Sequence, residues 1–141
     1  MFGKVKSIEE NTVIVENTAG KMDVNYINYH VVFAEADRKI VGEIISIKET
    51  DIEILLVGEI KNNEFYSGVL KKPNFSTIPR LVYKSEVELF LGSQDIANKN
   101  NLYIGSSNIY EGFNVSTNLN SFFSNHFAII GNTGSGKSCG V

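Results

Sequence analysis

One short segment near the carboxyl end constrains this chain more than any other feature. Residues 131–138, Gly-Asn-Thr-Gly-Ser-Gly-Lys-Ser, fit the pattern G-x-x-x-x-G-K-[ST] without a mismatch. The apolar run Phe-Ala-Ile-Ile at 127–130 comes directly before it, as a buried strand would. A flexible tail rich in glycine and serine is the alternative, and the apolar run argues against it. The pattern predicts a strand, a glycine-rich turn and the start of a helix, which is the geometry of a phosphate-binding loop.

The residue types in this segment explain how it would hold phosphate. Its three glycines lack a Cβ, so the backbone can adopt left-handed dihedral angles and approach an anion closely. The backbone N–H groups of the turn then donate to phosphate oxygens. We expect Lys137 to reach the β- and γ-phosphates and the Ser138 hydroxyl to ligate Mg²⁺. The predicted binding set for ATP and Mg²⁺ is Gly131, Asn132, Thr133, Gly134, Ser135, Gly136, Lys137 and Ser138.

Phosphoryl transfer needs more than this loop. A second acidic motif, a residue that positions water and an arginine finger complete such a site. Only three residues follow Ser138, and they supply none of these parts. We therefore predict no catalytic residue in this chain. We expect it to be the N-terminal part of a longer ATPase that is not competent for hydrolysis alone.

Composition limits the class of protein. The chain has 141 residues, of which 43% are hydrophobic, enough for a folded domain with its own core. No apolar run approaches the roughly 20 residues that cross a bilayer, and the first residues lack the apolar stretch of a secretory signal. We expect a cytoplasmic protein. The single cysteine, Cys139, excludes an internal disulfide framework, and we interpret it as an inert small side chain.

Residues 1–91 consist of short β-like runs separated by turns, with little of the periodicity that a helix requires. Apolar side chains lie on both faces of the run 40–60, which favours a closed or well-covered sheet. Gly42 and Gly58 lie within this run, where glycine often marks a bulge or a barrel corner. The predicted fold class is mainly β, with a small barrel of about six strands in residues 1–91. The predicted strands are 5–8, 12–16, 22–27, 39–48, 51–60, 80–83 and 87–91.

Residues 92–126 are richer in glycine, serine and asparagine, and we interpret them as a linker. Short strands are predicted at 102–105 and 112–115, a helical turn at 93–97 and an apolar patch at 119–123. A disordered segment is the alternative, but six large apolar side chains argue against a solvated chain. Residues 127–141 are then the first strand and phosphate loop of an α/β P-loop core. The six apolar residues are Tyr103, Ile104, Phe113, Val115, Phe122 and Phe123.

Charge is unevenly distributed along the chain. Residues 1–60 hold eleven Asp and Glu against six Lys and Arg, whereas residues 61–141 hold five against seven. Because an acidic surface repels nucleic acid, direct DNA binding by the first part is not expected. Lys71, Lys72, Arg80 and Lys84 form a basic cluster, which we interpret as solvated surface rather than a contact with a phosphate backbone.

Taken in order, the barrel, the linker and the phosphate loop resemble the N-terminal part of a HerA-type ATPase, a family in the HerA/FtsK superfamily of P-loop motors. The resemblance is strongest over 125–138, where a histidine and an apolar strand lead into G-x-T-G-S-G-K-S. The segments Tyr-Ile-Gly at 103–105 and Gly-Glu-Ile at 42–44 are similar to the family's linker and to its N-terminal HAS barrel. We assign His126 no catalytic role.

The resemblance implies a homohexameric ring, a helicase or translocase that moves double-stranded DNA through its centre with ATP and Mg²⁺. It also implies that the barrels form a collar, which helps the ring assemble and docks a partner. That partner is commonly a NurA-like nuclease or, in defence systems, a toxic effector enzyme. Three alternatives stay open: a non-enzymatic barrel that acts as an interaction module, an ATPase like those of type IV secretion, and a P-loop kinase or transporter ATPase behind a β-domain.

Overall fold

The computed structural model describes residues 1–21, 24–92, 97–124, 130–132 and 134. Strands dominate this part of the chain, which confirms the predicted mainly β class. The elements in chain order are β1 (Phe2–Glu9), β2 (Thr12–Asn17), β3 (His30–Ala34), β4 (Lys39–Ile47), β5 (Asp51–Lys61), β6 (Glu64–Ser67), β7 (Arg80–Leu81), α1 (Lys84–Leu91), β8 (Asn101–Ser106), β9 (Asn114–Asn118) and α2 (Leu119–Phe123).

Seven strands form one antiparallel sheet that curls into half a barrel. The strand order is β1-β2-β5-β4-β3-β7, and β6 pairs with the second half of β5. Strands β4 and β5 are the longest and occupy the centre, so that the alternating apolar run at 40–60 becomes the middle of the sheet. The barrel-like architecture expected for residues 1–91 is thus present in the structure.

The sheet buries apolar side chains on both faces, as the sequence of its central strands indicated. The concave face carries the larger core, and all of its members are almost fully inaccessible to solvent. On the other face, Val32, Val41 and Ile60 form a smaller core beneath Leu89 and Phe90 of α1 and Phe65 of β6. The concave core consists of Val5, Val13, Val15, Val31, Phe33, Ile40, Ile44, Ile52, Ile54 and Leu56.

A bulge lies where the two central strands carry glycine. Val41 pairs with Gly58 and Gly42 pairs with Leu56, so Val57 is the extra residue. A Cβ on Gly42 would lie 2.4 Å from the Ile54 side chain, and one on Gly58 would lie 2.4 Å from the Tyr66 carbonyl oxygen. Both glycines are therefore needed for the close approach of neighbouring chains, and the predicted bulge is confirmed.

Helix α1 lies where we predicted a strand. The alternation of Val87, Leu89 and Leu91 suggested a strand over 87–91, but these residues lie in a helix. The spacing from Val87 to Phe90 and Leu91 fits the period of a helix as well as that of a strand. Glu86 favours the helix, because its side chain accepts a hydrogen bond from the Tyr83 backbone N–H over 2.9 Å at the first turn. The preceding strand is also shorter than the predicted 80–83.

One further predicted strand is wrong, and two strands of the structure, β3 and β6, were not predicted. No strand lies at 24–27, the described part of the predicted 22–27, because the Asn25 side chain accepts from the Ile27 N–H and Asn28 has a positive φ of 70°. Conversely, β3 was not predicted. Its core, Val31 to Phe33, is a continuous apolar run without alternation, because these side chains are buried on both faces of the sheet.

Residues 97–124 form a second, smaller unit. Strands β8 and β9 pair as an antiparallel hairpin, and α2 follows directly, with the Asn118 side chain accepting from the Ser121 N–H. Strand β8 agrees with the prediction at 102–105. The second strand begins at Asn114, later than predicted, because Gly112 has a φ of 81° and belongs to the turn. Residues 119–123 form the short helix α2.

The domain boundaries at 91 and 126 stay a prediction. The first strand of the P-loop core at 127–130 also stays a prediction, because the structure describes only Ile130 of these residues.

Candidate functional site

The structure describes three residues of the predicted phosphate loop. Gly131 and Asn132 are exposed to solvent, and Gly134 is exposed with a φ of 85°. That dihedral angle lies in the left-handed region, which favours glycine because it has no Cβ. Among the described residues, and apart from its chain neighbours, no heavy atom lies within 4 Å of the position that a Cβ on Gly134 would occupy. The role of this loop in phosphate binding stays a prediction.

The other predicted binding residues, Thr133, Ser135, Gly136, Lys137 and Ser138, lie outside the described residues, as do His126 and Cys139. Their roles in holding ATP and Mg²⁺ therefore stay predictions. Were the loop to hold MgATP, the nucleotide would supply the phosphates and the metal ion would offset part of their charge.

One side chain of the hairpin unit connects it to the large sheet. Tyr110, in the connection between β8 and β9, contacts His30 of β3 and Phe90 of α1. Its hydroxyl oxygen accepts a hydrogen bond from the His30 backbone N–H over 2.9 Å and lies 2.8 Å from the Nδ1 atom of the same histidine. Sequence reasoning did not find this contact, because a pair 80 residues apart leaves no local pattern.

Comparison with known families identifies the segment that contains the hairpin unit and the loop. Residues 102–141 match the family model described as the central domain of helicase HerA. This segment is therefore similar to HerA-type ATPases, and the match supports the predicted resemblance. No curated protein matches the chain. The match includes β8, β9, α2 and the whole phosphate-loop pattern, so the resemblance that rested mainly on 125–138 extends to the hairpin.

The family match supports nucleotide binding by this chain at a coarse level. Among the described residues, no group of three or more His, Cys, Asp or Glu side chains could hold a metal ion. In the same part of the chain, no helix is long and apolar enough to cross a membrane.

An ion-pair cluster holds α1 against the sheet. The Glu86 side chain is almost fully buried and binds Arg80 over 2.7 Å and Lys39 over 2.9 Å. Burial alone would raise the pKa of Glu86, but hydrogen bonds from Arg80, the Tyr83 backbone and Lys39 lower this pKa to about 2. The carboxylate therefore stays ionised throughout the neutral range. The Arg80 guanidinium also lies 3.8 Å from the centre of the Tyr83 ring.

A second cluster fixes the loop at 68–79. Buried Arg38 binds Glu35 over 2.9 Å and Glu59 over 3.0 Å. The same guanidinium donates to the carbonyl oxygens of Lys71 and Lys72 over 2.6 and 3.1 Å. Arg38 thus joins the sheet to a loop that has no regular secondary structure.

The Arg38 and Glu86 clusters border a cleft of about 270 Å³ between the β3–β4 turn and α1. Among the charged side chains that line it, Glu35, Arg38, Lys39 and Glu86 already form ion pairs within the protein. We assign these four residues a structural role. The phosphate loop is the candidate site.

Proposed function

We propose that this chain supplies the barrel and the ATP-binding loop of a ring-shaped HerA-type motor that moves along double-stranded DNA. The observation that carries the proposal is the match of residues 102–141 to the HerA central domain, together with a complete phosphate-loop pattern inside the match. The left-handed φ of Gly134 supports the same function. We place this activity in the cytoplasm.

Each part of the loop has a distinct task in the proposed function. The backbone N–H groups of 132–138 donate to the phosphate oxygens, and the glycines allow this approach. Lys137 neutralises phosphate charge, and Ser138 holds Mg²⁺. These interactions bind and orient the nucleotide, while the catalytic carboxylates and the arginine finger belong to other parts of the assembly.

For the barrel we propose ring assembly and partner docking. The 68–79 loop favours this second role, because it exposes Leu70, Phe75 and Ile78 to solvent although ion pairs and hydrogen bonds hold its backbone. Exposed apolar side chains on a well-held loop are suited to contact with another protein at little cost in ordering. A NurA-like nuclease and a toxic defence effector are the proposed partner classes, and six copies form the proposed ring.

Replacing Lys137 by alanine in the native gene product tests the motor function. Because the lost interaction is a charge-assisted one worth about 1.5–3 kcal/mol, we expect DNA-stimulated ATP hydrolysis to fall about 10- to 150-fold. Lys99→Ala, at an exposed lysine in the hairpin unit, is the control and should hydrolyse ATP normally.

The oligomeric state of the same preparations separates the motor function from the collar function. Sedimentation should show hexamers both for the unchanged protein and for Lys137→Ala, because the barrels are intact in both. Unchanged hydrolysis in Lys137→Ala would contradict the motor function and would favour the non-enzymatic interaction module. A monomer at micromolar concentration would contradict the collar function and would favour the kinase-like alternative.

A further inference from the structure

Aromatic contacts between the two units of the structure concentrate on Tyr110. This half-buried side chain lies in the connection between β8 and β9, within the segment that matches the HerA central domain. Its ring centre is 5.9 Å from that of His30, 6.0 Å from that of Tyr29 and 6.3 Å from that of Phe90. Tyr110 thus reaches the sheet and α1, both of which precede the matched segment.

The hydrogen bonds of Tyr110 suit a neutral His30 with its proton on Nε2. The hydroxyl oxygen already accepts from the His30 backbone N–H, so its hydrogen is available for the Nδ1 atom 2.8 Å away. Nδ1 accepts this hydrogen only when the neutral ring carries its proton on Nε2, whereas the other tautomer reverses the bond. A protonated His30 has a hydrogen on Nδ1, so it can only donate to an oxygen that already accepts from the backbone, and the Tyr110 hydrogen loses its acceptor.

We propose that Tyr110 is a positioning residue, a latch that holds the start of the central domain against the barrel while His30 is neutral and weakens when His30 is protonated. The device would make the attachment of the nucleotide-binding segment sensitive to pH. It involves neither the phosphate loop nor DNA, so its test is independent of the proposed motor function.

The surroundings of His30 determine the direction of the response. Glu43 lies opposite it on β4, Phe90 of α1 stacks near its ring, and Tyr29 and Tyr110 complete the cluster. On the β7 side, its carbonyl oxygen accepts from the Val82 N–H. Burial lowers the pKa of His30, and the negative charge of Glu43 opposes this effect without cancelling it.

The sign of the pH effect follows from this lowered pKa. His30 in an unfolded chain takes up a proton near its ordinary pKa of 6.5, whereas in the latched state, where Tyr110 helps to cover its ring, it takes up the proton only at lower pH. The latch is therefore at full strength above pH 6.5 and loses strength as the pH falls below it. Tyr110 itself does not titrate in this range, because burial raises its pKa to about 12 in spite of the hydrogen bond from the His30 backbone.

Hydrogen exchange of the full chain, corrected for the intrinsic pH dependence of exchange, tests the latch. Amides of β8 and β9 should lose about tenfold in protection between pH 7.5 and pH 5, while those of β4 and β5 stay protected. Tyr110→Phe keeps the ring but removes the hydroxyl, so we expect about tenfold lower hairpin protection at pH 7.5 and no further pH response. Tyr103→Phe, at an exposed tyrosine of β8, is the matched control.

Two further measurements keep the proposal falsifiable if Tyr110→Phe folds poorly. His30→Gln cannot be protonated and should abolish the pH response of the hairpin. In the unchanged protein at pH 7.5, nitrogen-15 NMR of His30 should show the proton on Nε2. A proton on Nδ1, or a pH response that persists in Tyr110→Phe or His30→Gln, would overturn the proposal.

Discussion

At the scale of single residues, buried charges are held in place by more than one partner. Glu86 receives hydrogen bonds from Arg80, Lys39 and the Tyr83 backbone, and Arg38 donates to two carboxylates and two carbonyl groups. A buried charge is tolerated when hydrogen bonds and opposite charges offset the free-energy cost of removing it from water. These residues fix α1 and the 68–79 loop, so their substitution should change stability rather than nucleotide binding.

Glu86→Gln tests this at neutral and acid pH. The variant loses charge-assisted hydrogen bonds, so its free energy of unfolding in urea should fall by about 2 kcal/mol at pH 7. Because the folded pKa of Glu86 is depressed to about 2, the contribution is present above pH 4.5 and is lost as the pH falls towards 2. The difference between wild type and variant should therefore shrink over that range. Glu88→Gln, at an exposed residue of the same helix, is the control and should have little effect on the free energy of unfolding. If the difference between the unchanged protein and Glu86→Gln did not depend on pH, the structural role of the ionised Glu86 would be contradicted.

At the scale of elements, the bulge between β4 and β5 determines how the sheet curls. It lets Leu56 face the concave core while Ile60, an even number of residues later, faces α1. A bulge also increases the local twist, which suits a sheet that bends into half a barrel. The two glycines at this point have no room for a Cβ, so the curvature depends on them.

Gly58→Ala should therefore destabilise the sheet. The added methyl group would lie 2.4 Å from both the Tyr66 carbonyl oxygen and the Phe65 ring, and relieving this clash should cost about 1–3 kcal/mol. Thermal or urea unfolding measures this loss. Gly105→Ala in β8 is the control, because no described residue beyond its chain neighbours has an atom within 4 Å of its Cβ position. Equal stability of the two variants would show that the bulge tolerates a side chain.

Strands with a clear pattern could be predicted from the sequence, and those without one could not. Alternation revealed β4 and β5, and glycine within them revealed the bulge. Strand β3 has no alternation because both of its faces are buried, and α1 was assigned as a strand because its short run fits both periods. Tertiary contacts decided these two cases, which is information that a local pattern does not contain.

At the scale of the whole molecule, a barrel-like sheet precedes a segment that matches the HerA central domain. The sequence predicts the phosphate loop because glycine spacing and charge are local requirements of anion binding. It could not predict the pairing of Tyr110 with His30, because this contact arises only when the hairpin unit lies on the sheet. The proposed function depends on both parts: a loop that would bind nucleotide and a barrel that precedes it in the chain.

Calorimetric titration of MgATP into the native gene product measures nucleotide binding by residues 131–138. We expect saturable binding that Lys137→Ala weakens at least about tenfold, since a charge-assisted contact to phosphate is lost. Lys99→Ala should bind as the unchanged protein does. Absence of any binding heat from MgATP, or equal affinity in Lys137→Ala, would contradict the assignment of residues 131–138 as a nucleotide-binding loop.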